Sequence, residues 1–321
     1  MPNKEKLPVL YLITPCYNEE KVLPLTYSLF LNKIKELVKT KTISPDSRAL
    51  FVNDGSTDGT WDYICEIAKK NKQIEGISLS RNRGHQNALL AGLMEAKDHC
   101  DVTITLDCDG QHDINAVDRM LEKYEEGNEV VYGIRNSRTG DSTMKKVFSE
   151  LYYKLINAFG GEIVTNHADY RLVSSKVLNA FSDYKEVNVF LRGLFPLVGF
   201  RSTTVNYDQF ERVAGKSHYS FSKMLTLAID GITSLSIKPI RIITGIGIFV
   251  AFVSFIGVIY SIATFFAGKT VPGWASMTCT LCFVSGIQLI SLGIIGEYVG
   301  KTYMETKQRP RYIISERTYK E

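Results

Sequence analysis

From Val9 to Gly133, short apolar runs alternate with amphipathic stretches. Val9–Thr14, Ala49–Val52, Ile74–Leu79, Val102–Leu106 and Glu129–Gly133 read as buried strands. Leu23–Lys39, Thr60–Lys70, His85–Ala96 and Ile114–Glu126 carry helical periodicity. This β-α-β-α order predicts an α/β domain, a mostly parallel sheet with helices on both faces. The polar motifs follow the strands at their C-terminal ends, where open α/β sheets bind ligands. Beyond Arg135 the pattern is less regular. Thr143–Phe159 is amphipathic and reads as core packing. Tyr219–Ile237 has a second apolar face and leads straight into an uncharged run, so it reads as a helix in a membrane interface.

Two later segments change the picture. Ile242–Gly268 and Trp274–Gly296 contain no charged residue. Each exceeds the ~20 apolar residues that span a bilayer as a helix. The short connection from Lys269 to Gly273 makes them a hairpin. Lys238 and Arg241 precede it, and Lys301, Lys307, Arg309 and Arg311 follow it. The positive-inside rule therefore places both flanks in the cytoplasm, at the inner (plasma) membrane. The expected organisation is a cytoplasmic domain over 1–218, an interfacial helix over 219–239, a transmembrane hairpin over 240–299 and a basic tail over 300–321. Met1–Lys6 is charged, but the apolar run after it is too short for a signal peptide.

The chain has 321 residues and a net charge of +4, too modest to argue for nucleic acid. Its basic flanks suit anionic lipid head groups better. The six cysteines are scattered. Cys279 and Cys282 form a CxxC inside an apolar span with no second pair, and read as small packing residues.

The candidate chemistry sits in Asp107-Cys108-Asp109-Gly110-Gln111, at the end of a strand. In an extended backbone, residues i and i+2 point the same way. Asp107, Asp109 and Gln111 would then offer oxygens to one hard cation, Mg²⁺ or Mn²⁺, shared with substrate phosphates, while Cys108 faces the fold. Asn53-Asp54-Gly55-Ser56-Thr57-Asp58-Gly59 closes another strand. Its glycines permit close backbone approach, Asp54 can accept from a base or ribose, and Asp58 can cap the helix near Thr60. Arg135, Arg138, Arg171, Arg212 and Lys216 fall near element ends, where a guanidinium fork or an ammonium can hold phosphate. Asp169 offers a further carboxylate, for a site or for a structural ion pair.

Together these segments resemble glycosyltransferase family 2, and within it the polyprenyl-phosphate glycosyltransferases related to dolichol-phosphate mannose synthase. The resemblance rests on Thr14–Glu19, Val52–Gly59, Ser80–Gly84, Asp107–Gln111, Gly133–Arg135, Asp169–Arg171, Arg212–Ser217 and Arg309–Ile313. It implies a GT-A fold and an inverting sugar transfer from a nucleotide sugar to a polyprenyl phosphate such as undecaprenyl phosphate. By resemblance, Pro15, Tyr17, Glu19, Asp54 and Asp107 meet the nucleotide. Asp107, Asp109 and Gln111 hold the metal and diphosphate, and the catalytic residues are Asp109 and Asp169, the latter in the place of a catalytic base. Arg135, Arg138, Arg212 and Ser217 handle the acceptor phosphate and sugar. Lys216, His218, His85 and His112 depart from common family residues at their positions.

The acceptor is a phosphate monoester with a second pKa of about 6, so it is largely dianionic at neutral pH. It needs neutralising and placing more than deprotonating. That expectation makes Asp169 an orienting group more than an obligatory base. The other readings are transfer to a different membrane lipid, such as diacylglycerol, and a non-catalytic scaffold that binds nucleotide sugars. The expected partners are the nucleotide sugar (uridine-linked by preference), the polyprenyl phosphate, the bilayer and a second copy of the chain as a homo-oligomer. A separate flippase and a downstream membrane glycosyltransferase would act on the product.

Overall fold

The computed structural model describes residues 6–136, 167–187, 189–210, 238–267 and 273–319. The apolar runs become β1 (Leu10–Cys16), β2 (Arg48–Asn53), β3 (Ile74–Leu79), β4 (Val102–Thr105) and β5 (Val130–Arg135). Between them lie α1 (Leu23–Lys39), α2 (Thr60–Lys70), α3 (His85–Ala96) and α4 (Ala116–Glu125). Periodicity does not reveal β6 (His167–Ser174), α5 (Ser175–Phe181), α6 (Leu191–Leu197), β7 (Ser202–Tyr207) or β8 (Ile314–Arg317).

The described strands form one sheet in the order β7-β5-β6-β4-β1-β2-β3-β8. β1 pairs in parallel with β2 and β4, β2 with β3, and β5 with β7. β6 runs antiparallel between β4 and β5, and β8 antiparallel along β3. Alternate residues feed opposite cores. Leu10, Leu12 and Phe51 pack under α1, α2 and α4, while Tyr11, Ile13 and Val52 pack under α3, α5 and α6. Burying each such Leu or Ile stabilises the fold by about 1.5–3 kcal/mol. Gly92 lets α3 settle onto the sheet, because a Cβ there would lie 2.5 Å from Ile13 Cγ2 and 2.8 Å from Val52 Cγ2.

Two long helices follow, α7 (Lys238–Phe266) and α8 (Trp274–Thr306). Each contains a stretch long and apolar enough to cross a membrane. Their large side chains, among them Phe249, Phe252, Phe255 and Leu289, are exposed. At about 1.5 Å per residue, α8 exceeds the ~30 Å hydrocarbon core. Its last turns carry Glu297, Lys301 and Glu305, and Glu305 Oε1 accepts from the Val187 N–H at 2.6 Å.

The segment expected as a basic tail is folded. β8 closes the β3 edge, and Ser80 N–H donates to Ile313 O at 2.9 Å. Trp61 Nε1 donates to Glu316 at 3.0 Å, and Arg317 and Tyr319 both bond Glu95. The chain thus returns to the same sheet after the two helices. The amphipathic stretches Thr143–Phe159 and Tyr219–Ile237 lie outside the described residues.

Candidate active site

The site is built from loops at the C-terminal ends of β1, β2, β3 and β4. Pro15 sits inside β1, and Tyr17 beyond it is exposed. Asn18, with φ of 55°, turns the chain so that its side chain accepts from Thr57 N–H at 2.9 Å. Glu19 N–H donates to Thr60 Oγ1 at 2.9 Å and Glu20 accepts from Gly59 N–H at 3.2 Å. The loops after β1 and β2 are therefore stitched into one wall. Asp58 accepts from Thr60 N–H at 3.1 Å, but it stands one residue before the N-cap of α2, which is Gly59.

Asp54 has a different immediate role from the base or ribose contact its sequence suggested. It is buried, and its two oxygens accept the N–H groups of Arg83 at 2.7 Å and Gly84 at 2.9 Å. Burial pushes its carboxyl pKa up, against those two hydrogen bonds. Asp54 thus fixes the loop that leads into α3. Gly55 permits the same close approach, since with φ of +60° a Cβ there would meet the Arg81 carbonyl carbon at 2.4 Å.

β4 ends at Thr105, and Asp107–Gly110 forms a turn, with Gly110 at φ of 70°. A turn, not the extended strand expected from the sequence, therefore presents Asp107 and Asp109. Cys108 does face the core. Asp109 Oδ1 accepts the Gln111 N–H at 3.1 Å. Among the described residues no three His, Cys, Asp or Glu side chains converge as a closed metal cage. The hard carboxylate oxygens of Asp107 and Asp109 fit a cation that completes its shell with water and substrate phosphate, the habit of Mg²⁺.

His112, seen in the sequence only as a departure, braces this turn. Its Nδ1 accepts the Asp107 N–H at 3.2 Å, which leaves the proton on Nε2, 3.5 Å from Asp107 Oδ2. The ring stacks on Tyr170 with centroids 4.8 Å apart. Burial lowers its pKa, outweighing the pull of Asp107, so it stays neutral at pH 7. Arg135 donates through Nε to Tyr207 Oη at 3.2 Å, beside the same aromatic cluster.

Asp169 lies on β6 and is 5% exposed. Arg171 Nη2 and Arg192 Nε donate to its Oδ1 at 3.0 and 3.1 Å. Arg192 Nη2 and Gln86 Nε2 donate to its Oδ2 at 2.8 and 3.1 Å. His85 Nε2 lies 3.6 Å from Asp169 Oδ2 and 3.8 Å from Asp107 Oδ1, joining the two halves of the site. Burial alone would raise the Asp169 pKa, but Arg192 and His85 hold it well below the usual carboxylate range. A carboxylate so held is a poor proton acceptor at neutral pH.

Arg171 does not reach a surface. It is 1% exposed, donates to Leu191 O at 3.0 Å and backs Asp169 from within the sheet, which corrects its assignment to phosphate clamping. Arg138, Arg212, Lys216 and Ser217 lie outside the described residues. Arg192 and Gln86, absent from the sequence-level site, are central to it.

The sheet is mostly parallel, with a carboxylate turn after β4 and a second carboxylate on β6 joined to it through His85. Residues 11–181 match glycosyl transferase family 2, and residues 238–302 match the GtrB C-terminal hairpin. The chain belongs to glycosyl transferase family 2. It is 42% identical over 318 residues to the uncharacterized glycosyltransferase YkoT of Bacillus subtilis (strain 168), covering 99% of this chain and 94% of that one. It is 37% identical over 310 residues to the bactoprenol glucosyl transferase of Shigella phage SfX, covering 95% of this chain and 98% of the phage protein. The prophage bactoprenol glucosyl transferase homolog of Escherichia coli (strain K12) is 37% identical over 305 residues, covering 94% and 97%.

Proposed function

We propose that this glycosyltransferase moves a sugar, with glucose the first candidate, from a uridine diphosphate carrier to polyprenyl phosphate at the cytoplasmic membrane face. An oxygen of the acceptor phosphate bonds the anomeric carbon with inversion. The bond from that carbon to the donor's β-phosphate oxygen breaks, and its electron pair leaves with the nucleoside diphosphate. The acceptor enters as a dianion, so no proton need be removed. The observation that carries this reading is the link from Asp107 through His85 to a carboxylate already held by Arg171, Arg192 and Gln86. A site so arranged manages charge instead of accepting a proton. Asp107 and Asp109 would hold Mg²⁺ or Mn²⁺, which supplies charge neutralisation on the departing diphosphate.

The membrane assignment is supported by β8. The chain after α8 pairs with β3, so the C-terminal end of the hairpin returns to the domain that precedes it, as an even number of crossings requires. A polyprenyl chain resists leaving the bilayer at about 0.8 kcal/mol per CH₂, so the enzyme must come to the phosphate.

The test uses the full chain in lipid nanodiscs with labelled UDP-glucose and Mg²⁺ or Mn²⁺. Undecaprenyl phosphate, diacylglycerol or no added lipid serves as acceptor. Label in lipid with undecaprenyl phosphate alone is the expected result. Transfer to diacylglycerol instead would support the other-lipid reading, and nucleotide binding without any transfer would support a scaffold.

A further inference from the structure

We propose that Arg192 is the group that receives the acceptor phosphate, with Asp169 as its buried counter-ion. The inference rests on the polyprenyl-phosphate reading above and assigns a residue within it. Asp169 cannot meet substrate directly. A carboxylate offers about four lone-pair sites, and four donors from Arg171, Arg192 and Gln86 occupy those of Asp169. The Arg192 side chain lies on the solvent side of that pair, 36% exposed against 5% for Asp169.

The charges agree. The single negative charge of Asp169 is bonded by two guanidinium groups, Arg171 and Arg192, which more than offset it. An arriving phosphate dianion is repelled by a bare carboxylate and attracted by this covered one. The location agrees too. His85 spans from Asp169 to Asp107, so a phosphate on Arg192 would stand beside the turn that holds the donor diphosphate.

The backbone aims the guanidinium. Leu191 N–H donates to Gln86 Oε1 at 3.1 Å, and Leu191 O accepts from Arg171 Nη1 at 3.0 Å. The residue immediately before Arg192 is thus clamped at both polar atoms by the same two side chains that hold Asp169. The fork is set before the substrate arrives, which is how a charge-stabilising group acts without reorganising. Arg171 and Gln86 are positioning residues, and Arg192 is the contact.

The experiment compares wild type, Arg192→Gln and Arg192→Lys, each full length in nanodiscs. Read-outs are KM for undecaprenyl phosphate, KM for donor, and calorimetric affinity for UDP with Mn²⁺. Losing a charged hydrogen-bond donor is expected to raise acceptor KM roughly 10- to 100-fold in Arg192→Gln. UDP affinity should stay within about twofold, because the donor's ligands lie elsewhere. Arg192→Lys keeps the charge without the fork, and should fall between the two. If Arg192→Gln fails to fold, Arg192→Lys alone decides: unchanged acceptor KM overturns the proposal. So does a change confined to donor affinity. If wild type transfers no sugar to polyprenyl phosphate, the functional reading has failed. If wild type is active but the variants keep its acceptor KM, only the assignment of Arg192 has.

Discussion

Replacing Asp169 by Asn separates a charge-organising carboxylate from a base. The side chains are nearly isosteric, so the effect is electrostatic. An amide keeps one acceptor oxygen and turns an NH₂ toward two donors. Whichever way it sits, two of the four hydrogen bonds to Asp169 are lost. Arg171, 1% exposed, keeps its charge but loses its carboxylate partner, left with the Leu191 carbonyl and at most a neutral amide oxygen. Breaking one side of a buried ion pair costs about 3–5 kcal/mol. For a domain of this size that is a fall in thermal midpoint of roughly 6–20 °C. The assay is thermal unfolding of purified protein at fixed scan rate, across a pH series.

The sign of the pH effect follows from the depressed pKa of Asp169. The charge contributes its stability above the unfolded carboxyl pKa of about 3.9, and loses it as pH falls through the lower folded value. The deficit of Asp169→Asn should therefore shrink in acid, and shrink in part as pH rises past the ordinary imidazole range, where His85, whose pKa Asp169 raises, gives up its proton. Activity should be low at pH 6 and remain low at pH 9. A variant with the wild-type midpoint would refute the buried-pair argument. Recovery of activity at pH 9 would restore the general base.

Three further outcomes follow from other contacts. Arg317→Ala should destabilise by about 1–2 kcal/mol through loss of the half-buried Glu95 pair, and the exchanged pair Arg317→Glu with Glu95→Arg should regain part of it in unfolding assays. Gly55→Ala should cost more than about 2 kcal/mol, because it combines a left-handed φ with a clash at Arg81, and should weaken UDP binding measured by calorimetry. Asp109→Asn should lower Mn²⁺ affinity, read by electron paramagnetic resonance of the bound ion, and lower turnover with it; unchanged Mn²⁺ binding would remove Asp109 from the metal site.

The first five strands were legible because each is an apolar run, and the first four are followed by a turn and a helix. β6 was not, because it buries Asp169 and Arg171, and a charged pair two residues apart looks like surface until each is seen to neutralise the other. β8 was hidden for a different reason. Ile314-Ser315-Glu316-Arg317 carries charges and pairs with β3, far away in sequence, so no local pattern announces it. Asp169 lies within β6, whereas Asp54, Asp107 and Asp109 stood out as motif residues at strand ends. Arg192 and Gln86 did not, since an arginine in a short helix and a glutamine in the first turn of another have no spacing that marks them. Their roles come from long-range packing, α3 against β1, β2 and β4 and α6 against β6, which brings Gln86 and Arg192 to Asp169.

The account's central claim is glycosyl transfer onto an intact phosphate monoester. It is tested most directly by identifying both products of a single reaction with UDP-glucose and undecaprenyl phosphate. The predicted result is release of UDP, together with a lipid whose mass exceeds that of the acceptor by one hexose residue and which carries a single phosphate. Release of UMP with a diphosphate-linked lipid would contradict the account, because the bond broken would then lie within the donor's diphosphate and not at the sugar.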